Sequence, residues 1–442
     1  MSLRRTAAAL TAATALCAVA APSAAADESP PAQAPTQTPT QRELPSALYG
    51  QGDPQYDAVW RQSTALLAQD TVGVEPAEKA VEWLVRQQCE DGSFAAYRPD
   101  PTEPCTTETA ADVNATALAV QALAALGGHD ERVERAVEWL KLVQNDDGGW
   151  GYAPGEDSDA NSVSVVIGAL VAAGEDPAEV RAAGDGRTPY DSLLGFRLGC
   201  DAEADERGAF AHRPDEGRLY ANDDATAAAV PAALGEDLLV EPGGSDGGAP
   251  RAAPACEAGE ADGKTRQPTP EEAAQGGAAY LAKRLEEGGG HLKSAMPGAE
   301  EQPDYGNTAD AVIALAAAGH REAARDSLTW LEKNAPKWEA FETSPAALGG
   351  LVLAARAAGG DPFDFGGTDL VELLNATGPA PAAVPDGGGD DDGNGGEKDG
   401  ENDGGTDGAG GTPPVWALIG LGLAVGAGIG FLLSARKRNR SK

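Results

Sequence analysis

Two kinds of hydrophobic pattern alternate along residues 46–378. In one kind, apolar residues recur on a single face at helical spacing, as in residues 80–84 and 136–140. In the other kind, alanine, valine and leucine surround the whole helix, as in residues 112–126 and 159–173. The first pattern is typical of a helix with one face in water, and the second of a helix buried on every side. The alternation therefore predicts an outer layer and an inner layer of helices.

A motif marks each repeat of this pattern. Trp83 and Trp139 each precede a glutamine by five residues, and an Asp-Gly turn follows at Asp91-Gly92 and at Asp147-Gly148. Three weaker copies follow, and a glycine that can cap the helix ends most inner helices. Five pairs with one unpaired helix at each end, 56–69 and 369–375, predict an all-α fold, an α6/α6 toroid of six helical hairpins. An open helical solenoid is the alternative.

The second unit resembles a known repeat. Trp139-Leu140, Gln144 and Asp147-Gly148-Gly149-Trp150 are similar to the repeat of the prenyltransferase and squalene-cyclase family. The resemblance spans residues 50–378 and implies that the second helix of each pair lines a cavity, while the glutamine and the ring clamp the turn. The overall pattern also resembles the cobalamin-binding toroids of the intrinsic-factor and transcobalamin type, which have no catalytic residues.

The resemblance also implies a chemistry. Terpene cyclases of this family protonate their substrate with the middle aspartate of an Asp-x-Asp-Asp-Thr-Ala motif. Residues 221–226, Ala-Asn-Asp-Asp-Ala-Thr, come nearest to it, and Asp223 then stands at the acid position. Asparagine and aspartate are also preferred helix caps. In the five predicted inner helices Tyr305 is the single aromatic residue, whereas a carbocation is stabilised by several π faces.

A ring of short polar side chains begins the inner helices and predicts a ligand site at one rim of the cavity. Its members are Asp112, Asn114, Thr116, Asp159, Asn161, Asn222, Asp224, Thr226, Asp304, Asn307 and Thr308. The favoured interpretation is a non-catalytic toroid that binds a small molecule, with a corrinoid as the ligand that the resemblance suggests. The alternative is an exported terpene cyclase with Asp223 as general acid. A carbohydrate-active enzyme is a third hypothesis, although no pair of carboxylates can be distinguished from the many acidic residues of the surface.

Charge and metal-binding residues narrow these classes. The net charge of −37 argues against nucleic acid as a partner. The four histidines do not combine with cysteine or carboxylate at zinc spacing, and no Cys-Gly-Glu-Gln thioester motif occurs. No metal and no other cofactor is expected.

Both ends of the chain have the composition of targeting and membrane-anchoring segments. Residues 1–26 are typical of a signal peptide, followed by a disordered leader over 27–45. An acidic, glycine-rich linker over 379–413 leads to a transmembrane helix over 415–433 and a basic cytoplasmic tail over 434–442. We expect a type I protein on the outer face of the membrane. Glycines at 422, 426 and 430 would allow close packing with a membrane-protein partner.

Four cysteines remain after signal cleavage, which predicts two disulfides in an oxidising compartment. The local pairing joins Cys89 to Cys105 and Cys200 to Cys256, and the two crossed connectivities remain open. The long Gly-Pro segment 243–270 is either a cover over the site or disordered.

Overall fold

The computed structural model describes residues 44–242, 248 and 267–385. These residues form twelve α-helices, a 3₁₀ turn at Ala335–Lys337 and an antiparallel ribbon of β1 (Leu292–Lys293) and β2 (Pro303–Asp304). The helices are α1 (Ala58–Thr71), α2 (Glu78–Gln87), α3 (Val113–Leu126), α4 (Asp130–Leu142), α5 (Ala160–Ala172), α6 (Pro189–Leu194), α7 (Asp223–Ala233), α8 (Pro270–Gly288), α9 (Tyr305–Ala317), α10 (Arg321–Asn334), α11 (Pro345–Ala357) and α12 (Leu370–Ala376).

The odd-numbered helices form a closed inner ring. Each packs against the next odd-numbered helix, and α11 packs against α1. Each even-numbered helix lies outside, against the inner helix before it. The two ends meet where Nε2 of Gln69 donates to Oδ1 of Asn375 at 2.6 Å. The predicted toroid of six hairpins is therefore confirmed, and the open solenoid is wrong.

Hydrophobic patterning explains the two layers. The inner helix α3 is buried from Val113 to Leu123 because it contacts its ring neighbours on two sides and α4 on a third. Helix α4 instead buries one stripe, which includes Trp139 and Leu140, and leaves its charged residues in water. A fully buried leucine contributes roughly 1.5–3 kcal/mol relative to an exposed one. The core is thus a cylinder wall between the two layers.

One close contact between helices requires glycine. A Cβ on Gly349 of α11 would lie 2.8 Å from Cγ2 of Thr64 on α1. Real Cβ atoms do not approach so closely, and α1 would have to move outward. The missing side chain at this position therefore allows the last inner helix to pack on the first and close the ring.

The glutamine and aromatic positions of the repeat are structural, as the resemblance implies. Nε2 of Gln88 donates to the carbonyl of Gly92 at 3.1 Å and to that of Arg132 at 2.9 Å. Nε2 of Gln144 donates to the carbonyl of Gly148 at 2.8 Å, and the indole N–H of Trp150 donates to Leu140. These bonds satisfy backbone groups that a helix end leaves free.

The cysteines agree with the predicted pairing as far as the described residues extend. Cys89 and Cys105 form a disulfide with a Cα–Cα distance of 5.6 Å. Cys200 is also disulfide-bonded, whereas Cys256, its predicted partner, lies outside the described residues. The local pairing is therefore confirmed for the first bridge.

Several predicted segments fall outside the described residues. They are the signal peptide over 1–26, nearly all of the leader, most of the linker and of the 243–270 segment, the transmembrane helix over 415–433 and the basic tail. Among the residues that are described, no helix has the length and apolarity that crossing a membrane demands.

Candidate active site

The centre of the ring holds a cavity of about 1810 Å³. All six inner helices contribute to its wall, together with the loops that precede them and one face of α8. Apolar side chains such as Val165, Ile313 and Leu353 line its wall below the rim. Polar side chains line the rim, where the inner helices begin, and Glu236 and Asp237 line the opposite end, so the apolar part of the wall lies between two polar ends.

A short segment after α7 crosses the deep end of the cavity. The backbone N–H of Leu238 donates to Oε1 of Gln121 on α3 at 3.1 Å. Glu241 lies 3.8 Å from Arg356 on α11. Helices α3 and α11 flank α1, and α1 lies opposite α7 in the ring. Residues 236–242 leave α7 and contact α3 and α11, so this segment crosses the lumen to the opposite side of the ring. The exposed lining residues Asp157 and Glu300 mark the opposite, open end.

The cavity brings together seven of the eleven predicted ligand residues. Those that line it are Asn114, Asp159, Asn161, Asn222, Asp224, Asp304 and Asn307. Asp112, Thr116, Thr226 and Thr308 do not line it. These four side chains instead bond to the protein's own backbone.

Asp112 and the threonines fix the starts of the inner helices. Asp112 caps α3 by accepting the N–H of Ala115 at 2.8 Å. Each threonine hydroxyl accepts a backbone N–H from the loop before its helix and donates to the carbonyl of its helix cap. The accepted N–H groups are those of Phe94 for Thr116, Phe210 for Thr226 and Leu292 for Thr308. Such caps contribute about 1 kcal/mol each.

These caps set the register of the acid motif on α7. Asn222 caps α7 as Asp112 caps α3, and Thr226 takes the role of Thr116. The matching segment is therefore residues 222–227, Asn-Asp-Asp-Ala-Thr-Ala, and not residues 221–226. In this register the middle aspartate of the family motif corresponds to Asp224, two residues after the cap.

Side chains of α8 hold Asp223. One of its carboxylate oxygens accepts the hydroxyl of Tyr280 at 2.6 Å, and both accept N–H groups of Arg284 at 3.2 Å. Hydrogen bonding to Asp223 raises the pKa of Arg284. The carboxyl group of Asp223 is therefore engaged with a cation, and the helix caps move the acid position of the motif from Asp223, where the sequence placed it, to Asp224.

Asp224 has the environment of a proton donor. It lies on the first turn of α7, half-buried, with part of its surface open to the cavity. Burial, with smaller effects of Asp304, Asp159 and Asp223, raises the pKa of Asp224 to about 7, although a hydrogen bond from Asn161 opposes the shift. Nδ2 of Asn161 donates to Oδ2 of Asp224 at 2.7 Å. Asp224 therefore keeps its proton to a higher pH than an aspartate in water does.

A second carboxyl group, which the sequence analysis did not single out, lines the same cavity. Burial and the charges of Asp224 and Asp304 raise the pKa of Asp310 to about 8. Asp310 is on the second turn of α9, among alanines and valines. A carboxylate inside an apolar helix is a signal that could have identified it, because such a residue must face a cavity or a partner.

The aromatic lining is richer than the inner helices suggest. Trp60, Tyr152, Tyr220, Tyr280 and Trp338 all line the cavity. Tyr305 does not line it, but stacks on Trp338 with ring centroids 5.5 Å apart. Tyr152 and Tyr220 come from loops, which the sequence left open as a source of aromatic rings. Trp60, Tyr280 and Trp338 were not expected, because α1 was not counted among the inner helices and the other two come from α8 and a loop. The expected shortage of π faces is therefore wrong.

Two further carboxyl groups of the rim, those of Asp159 and Asp304, cap inner helices. Asp159 caps α5, and Nδ1 of His212 lies 3.7 Å from it, but burial lowers the pKa of His212 so that it is neutral at pH 7. Asp304 caps α9 and accepts an N–H of the Asn307 side chain at 2.9 Å. Within residues 44–242, 248 and 267–385, no group of three or more His, Cys, Asp or Glu could hold a metal ion.

Comparison with known proteins supports the fold family over part of the chain. Residues 51–192 match the prenyltransferase alpha-alpha toroid domain. A segment of 120 residues is 34% identical to drimenyl diphosphate synthase of Streptomyces showdoensis. This match covers 26% of the present chain and 21% of the synthase, so the chain spans about a fifth of the length of that relative.

Solved structures with a similar chain path include enzymes of different classes. The type II terpene cyclase MstE of Scytonema is 15% identical, with a TM-score of 0.40 over 65% of this chain and 72% of the cyclase. A sugar epimerase from a ruminal bacterium is 12% identical, with a TM-score of 0.44 over 71% of this chain and 92% of the epimerase. Scores this low do not distinguish one activity from another.

The favoured interpretation from sequence, a non-catalytic toroid that binds a corrinoid, is wrong. The relative that matches one segment of the chain is named as a synthase. This finding favours the enzyme alternative. The interpretation failed because it counted aromatic residues only on the predicted inner helices and placed the acid at Asp223.

Proposed function

We propose that this protein is an enzyme of the terpene-cyclase type, in which Asp224 protonates an alkene of an isoprenoid bound in the lumen. The observation that carries the proposal is the environment of Asp224. Its carboxyl group lies at the motif's acid position, faces the cavity, is held by Asn161 and has a pKa raised to about 7. The similarity of one segment to a drimenyl diphosphate synthase adds support.

The chemistry begins with one proton transfer. The O–H bond of Asp224 breaks, a C–H bond forms at the less substituted alkene carbon, and a tertiary carbocation is left beside the new carboxylate. A second alkene of the same substrate attacks the cation and closes a ring. Loss of a proton to water ends the sequence, and water returns a proton to Asp224. The product is an isomer of the substrate.

The lumen supplies the electrostatic stabilisation that this pathway needs. The carboxylate left on Asp224 is an anion next to the cation, in a site where burial weakens the screening by water. The rings of Trp60, Tyr152 and Tyr280 line the lumen, and the π faces of such rings stabilise cationic carbon. Asp223, which is bonded to Arg284, contributes to the rise in the pKa of Asp224.

A matched pair of variants tests the proposal. The full chain is incubated with squalene, farnesol and polyprenyl diphosphates, and the products are identified by mass spectrometry. We expect a cyclised isomer from wild type and a rate lower by about 10³-fold in Asp224→Asn, since a positioned acid contributes roughly 10²–10⁴-fold. Asp223→Asn keeps the rate within about tenfold, because Asp223 is not the proton donor of the proposed reaction. Cyclisation that survives Asp224→Asn, or no cyclisation by wild type, contradicts the proposal.

We further propose that the enzyme acts outside the cytoplasm, attached to the membrane. The disulfide between Cys89 and Cys105 supports this location, because such bonds persist in oxidising compartments. Fractionation of cells that express the full chain, compared with a chain lacking residues 415–442, provides the test. We expect the full chain in the membrane fraction and the shortened chain in the medium. Both chains in the cytosol would contradict it.

A further inference from the structure

The charges around the cavity are strongly unbalanced. Fifteen carboxyl groups line it, against four cationic side chains. The four cations are Arg213, Lys283, Arg284 and Lys293. The imbalance remains when Asp224 and Asp310 carry protons, since thirteen carboxyl groups are left. An anionic group that enters this cavity therefore moves into a negative potential.

Three of the four cationic side chains are already paired with carboxylates. Arg284 is bound to Asp223 at 3.2 Å, and Lys293 to Glu301 at 2.9 Å. Lys283 lies 3.7 Å from Glu287. A phosphate group would have to displace a carboxylate at each of these positions to gain a cationic partner.

Several neutral donors of the rim are engaged in the same way. The hydroxyl of Tyr280 donates to Asp223 at 2.6 Å. The side-chain amides of Asn161 and Asn307 donate to Asp224 at 2.7 Å and to Asp304 at 2.9 Å. These donors are therefore not free for a ligand, and an ionised carboxylate accepts hydrogen bonds but offers none. Diphosphate oxygens are also acceptors, so they find few partners among the carboxylates of the rim.

We propose that the substrate of this site is an isoprenoid without a phosphate group: an alcohol or a hydrocarbon rather than a diphosphate. The inference rests on the proposed cyclase function and concerns the substrate of that same site. A hydroxyl group donates to the rim carboxylates and carries no charge, and the apolar part of the wall near Val165, Ile313 and Leu353 accommodates the hydrocarbon. The substrate class thus differs from the diphosphate in the name of the curated relative.

Farnesol and farnesyl diphosphate form the test pair, because they share one hydrocarbon chain and differ in the polar end. Trp60 and Trp338 line the cavity, so tryptophan fluorescence of the full chain reports binding. At low salt we expect farnesol to bind at least about 30-fold more tightly than the diphosphate, as several uncompensated carboxylates repel it. Higher salt narrows the ratio by screening the charges at the mouth.

Two sets of substitutions separate local charge from total charge. Glu156→Gln, Asp157→Asn, Asp215→Asn and Glu300→Gln together neutralise four exposed carboxylates of the lining. We expect this variant to bind the diphosphate at least about fivefold more tightly and farnesol unchanged. The control neutralises four exposed carboxylates of outer helices, through Glu131→Gln, Glu134→Gln, Glu138→Gln and Glu322→Gln, and leaves both affinities unchanged.

The outcomes separate this inference from the proposed function. Diphosphate binding as tight as that of farnesol at low salt, or a ratio that neither salt nor the lining substitutions change, overturns the inference. If the diphosphate is cyclised and farnesol is not, the inference falls and the cyclase proposal stands. If farnesol binds preferentially and wild type cyclises no isoprenoid, the cyclase proposal falls and the charge-based selectivity stands.

Discussion

The first two repeat units and the later ones keep different parts of the same design. Units one and two hold the framework motif, with Gln88 and Gln144 clamping the turns and Trp150 buried behind them. At the lumen position two residues after the cap they carry amides, as in Asn161. The later units have lost most of the Trp, Gln and Asp-Gly framework motif. They instead contribute two carboxyl groups, Asp224 and Asp310, to the lining of the cavity.

The comparison teaches that a strong repeat motif and the reacting groups need not coincide. The match to the toroid family covers residues 51–192, where the framework is most regular. The proposed acid lies beyond that range, on α7. Substitutions in the first part are therefore expected to affect mainly stability, and substitutions in the later lumen mainly activity and its pH dependence.

The largest expected effect is on stability in the second unit. Trp150 is 1% exposed and donates its indole N–H to Leu140 at 2.8 Å. We expect Trp150→Ala to lower the free energy of unfolding by about 3–5 kcal/mol in urea titration, through the cavity and the lost hydrogen bond. The matched control is Trp330→Ala, which removes a partly exposed ring and costs about 1 kcal/mol. Equal losses in the two variants would remove the distinction between framework and periphery.

A somewhat smaller effect is expected at the bridge in the first unit. The disulfide between Cys89 and Cys105 joins residues 16 positions apart. Closing a loop of this size stabilises a fold by about 3 kcal/mol, mainly by restricting the unfolded chain. The double substitution Cys89→Ser with Cys105→Ser is expected to lower the free energy of unfolding by that amount. An unchanged urea midpoint would show that the first unit does not depend on the bridge.

The later units should make stability depend on pH. Burial raises the pKa of Asp224 to about 7 and that of Asp310 to about 8, from 3.8 in the unfolded chain. The folded chain therefore binds protons that the unfolded chain has released. This contribution is fully present below about pH 4 and is lost as the pH rises through about 7 to 8.

A double substitution isolates that contribution. Asp224→Asn with Asp310→Asn should flatten the decline of the urea midpoint between about pH 5 and pH 9. The control, Asp130→Asn with Asp326→Asn, changes two carboxyl groups on outer helices and should keep the decline. A decline of the same size in all three proteins would mean that the lumen carboxyl groups titrate as if in water.

The smallest expected effect concerns the hydrogen bond by which Asn161 of the second unit donates to Asp224 of the third unit. The amide of Asn161, from the second unit, lowers the pKa of Asp224 by donating to it. In Asn161→Ala that pKa rises, so the decline of activity at high pH should move upward by less than about one pH unit. Asn307→Ala removes a donor to Asp304 and serves as the matched control, since it does not touch Asp224. A shift to lower pH in Asn161→Ala would contradict the arrangement.

The fold could be predicted from the sequence because its determinants are local and repeated. Apolar periodicity distinguishes inner from outer helices, and the Gln and Trp clamps recur at constant spacing. The closure of the ring could also be predicted from the number of helices, because one unpaired helix at each end of the five pairs needs a partner. The contact of Gln69 with Asn375 confirms it.

The site was only partly predictable, for two physical reasons. Adjacent residues on a helix point about 100° apart, so an error of one residue moved the acid from Asp224, which Asn161 holds, to Asp223, which also lines the cavity but is bonded to Arg284 on α8. Apart from Trp60 on α1, the aromatic lining comes from loops and from α8, whose positions depend on tertiary packing. Asp310 was overlooked although its carboxyl group stands out in an apolar helix.

Solvent deuterium incorporation tests the central claim most directly. If Asp224 starts the reaction by protonating an alkene, its exchangeable proton is replaced in D₂O before each turnover. Mass spectrometry should then find one deuterium in each cyclised product molecule formed by wild type, at the carbon that received the proton, and Asp224→Asn should form almost no product. Unlabelled cyclised product in D₂O, or labelled product formed at the wild-type rate by Asp224→Asn, would contradict it.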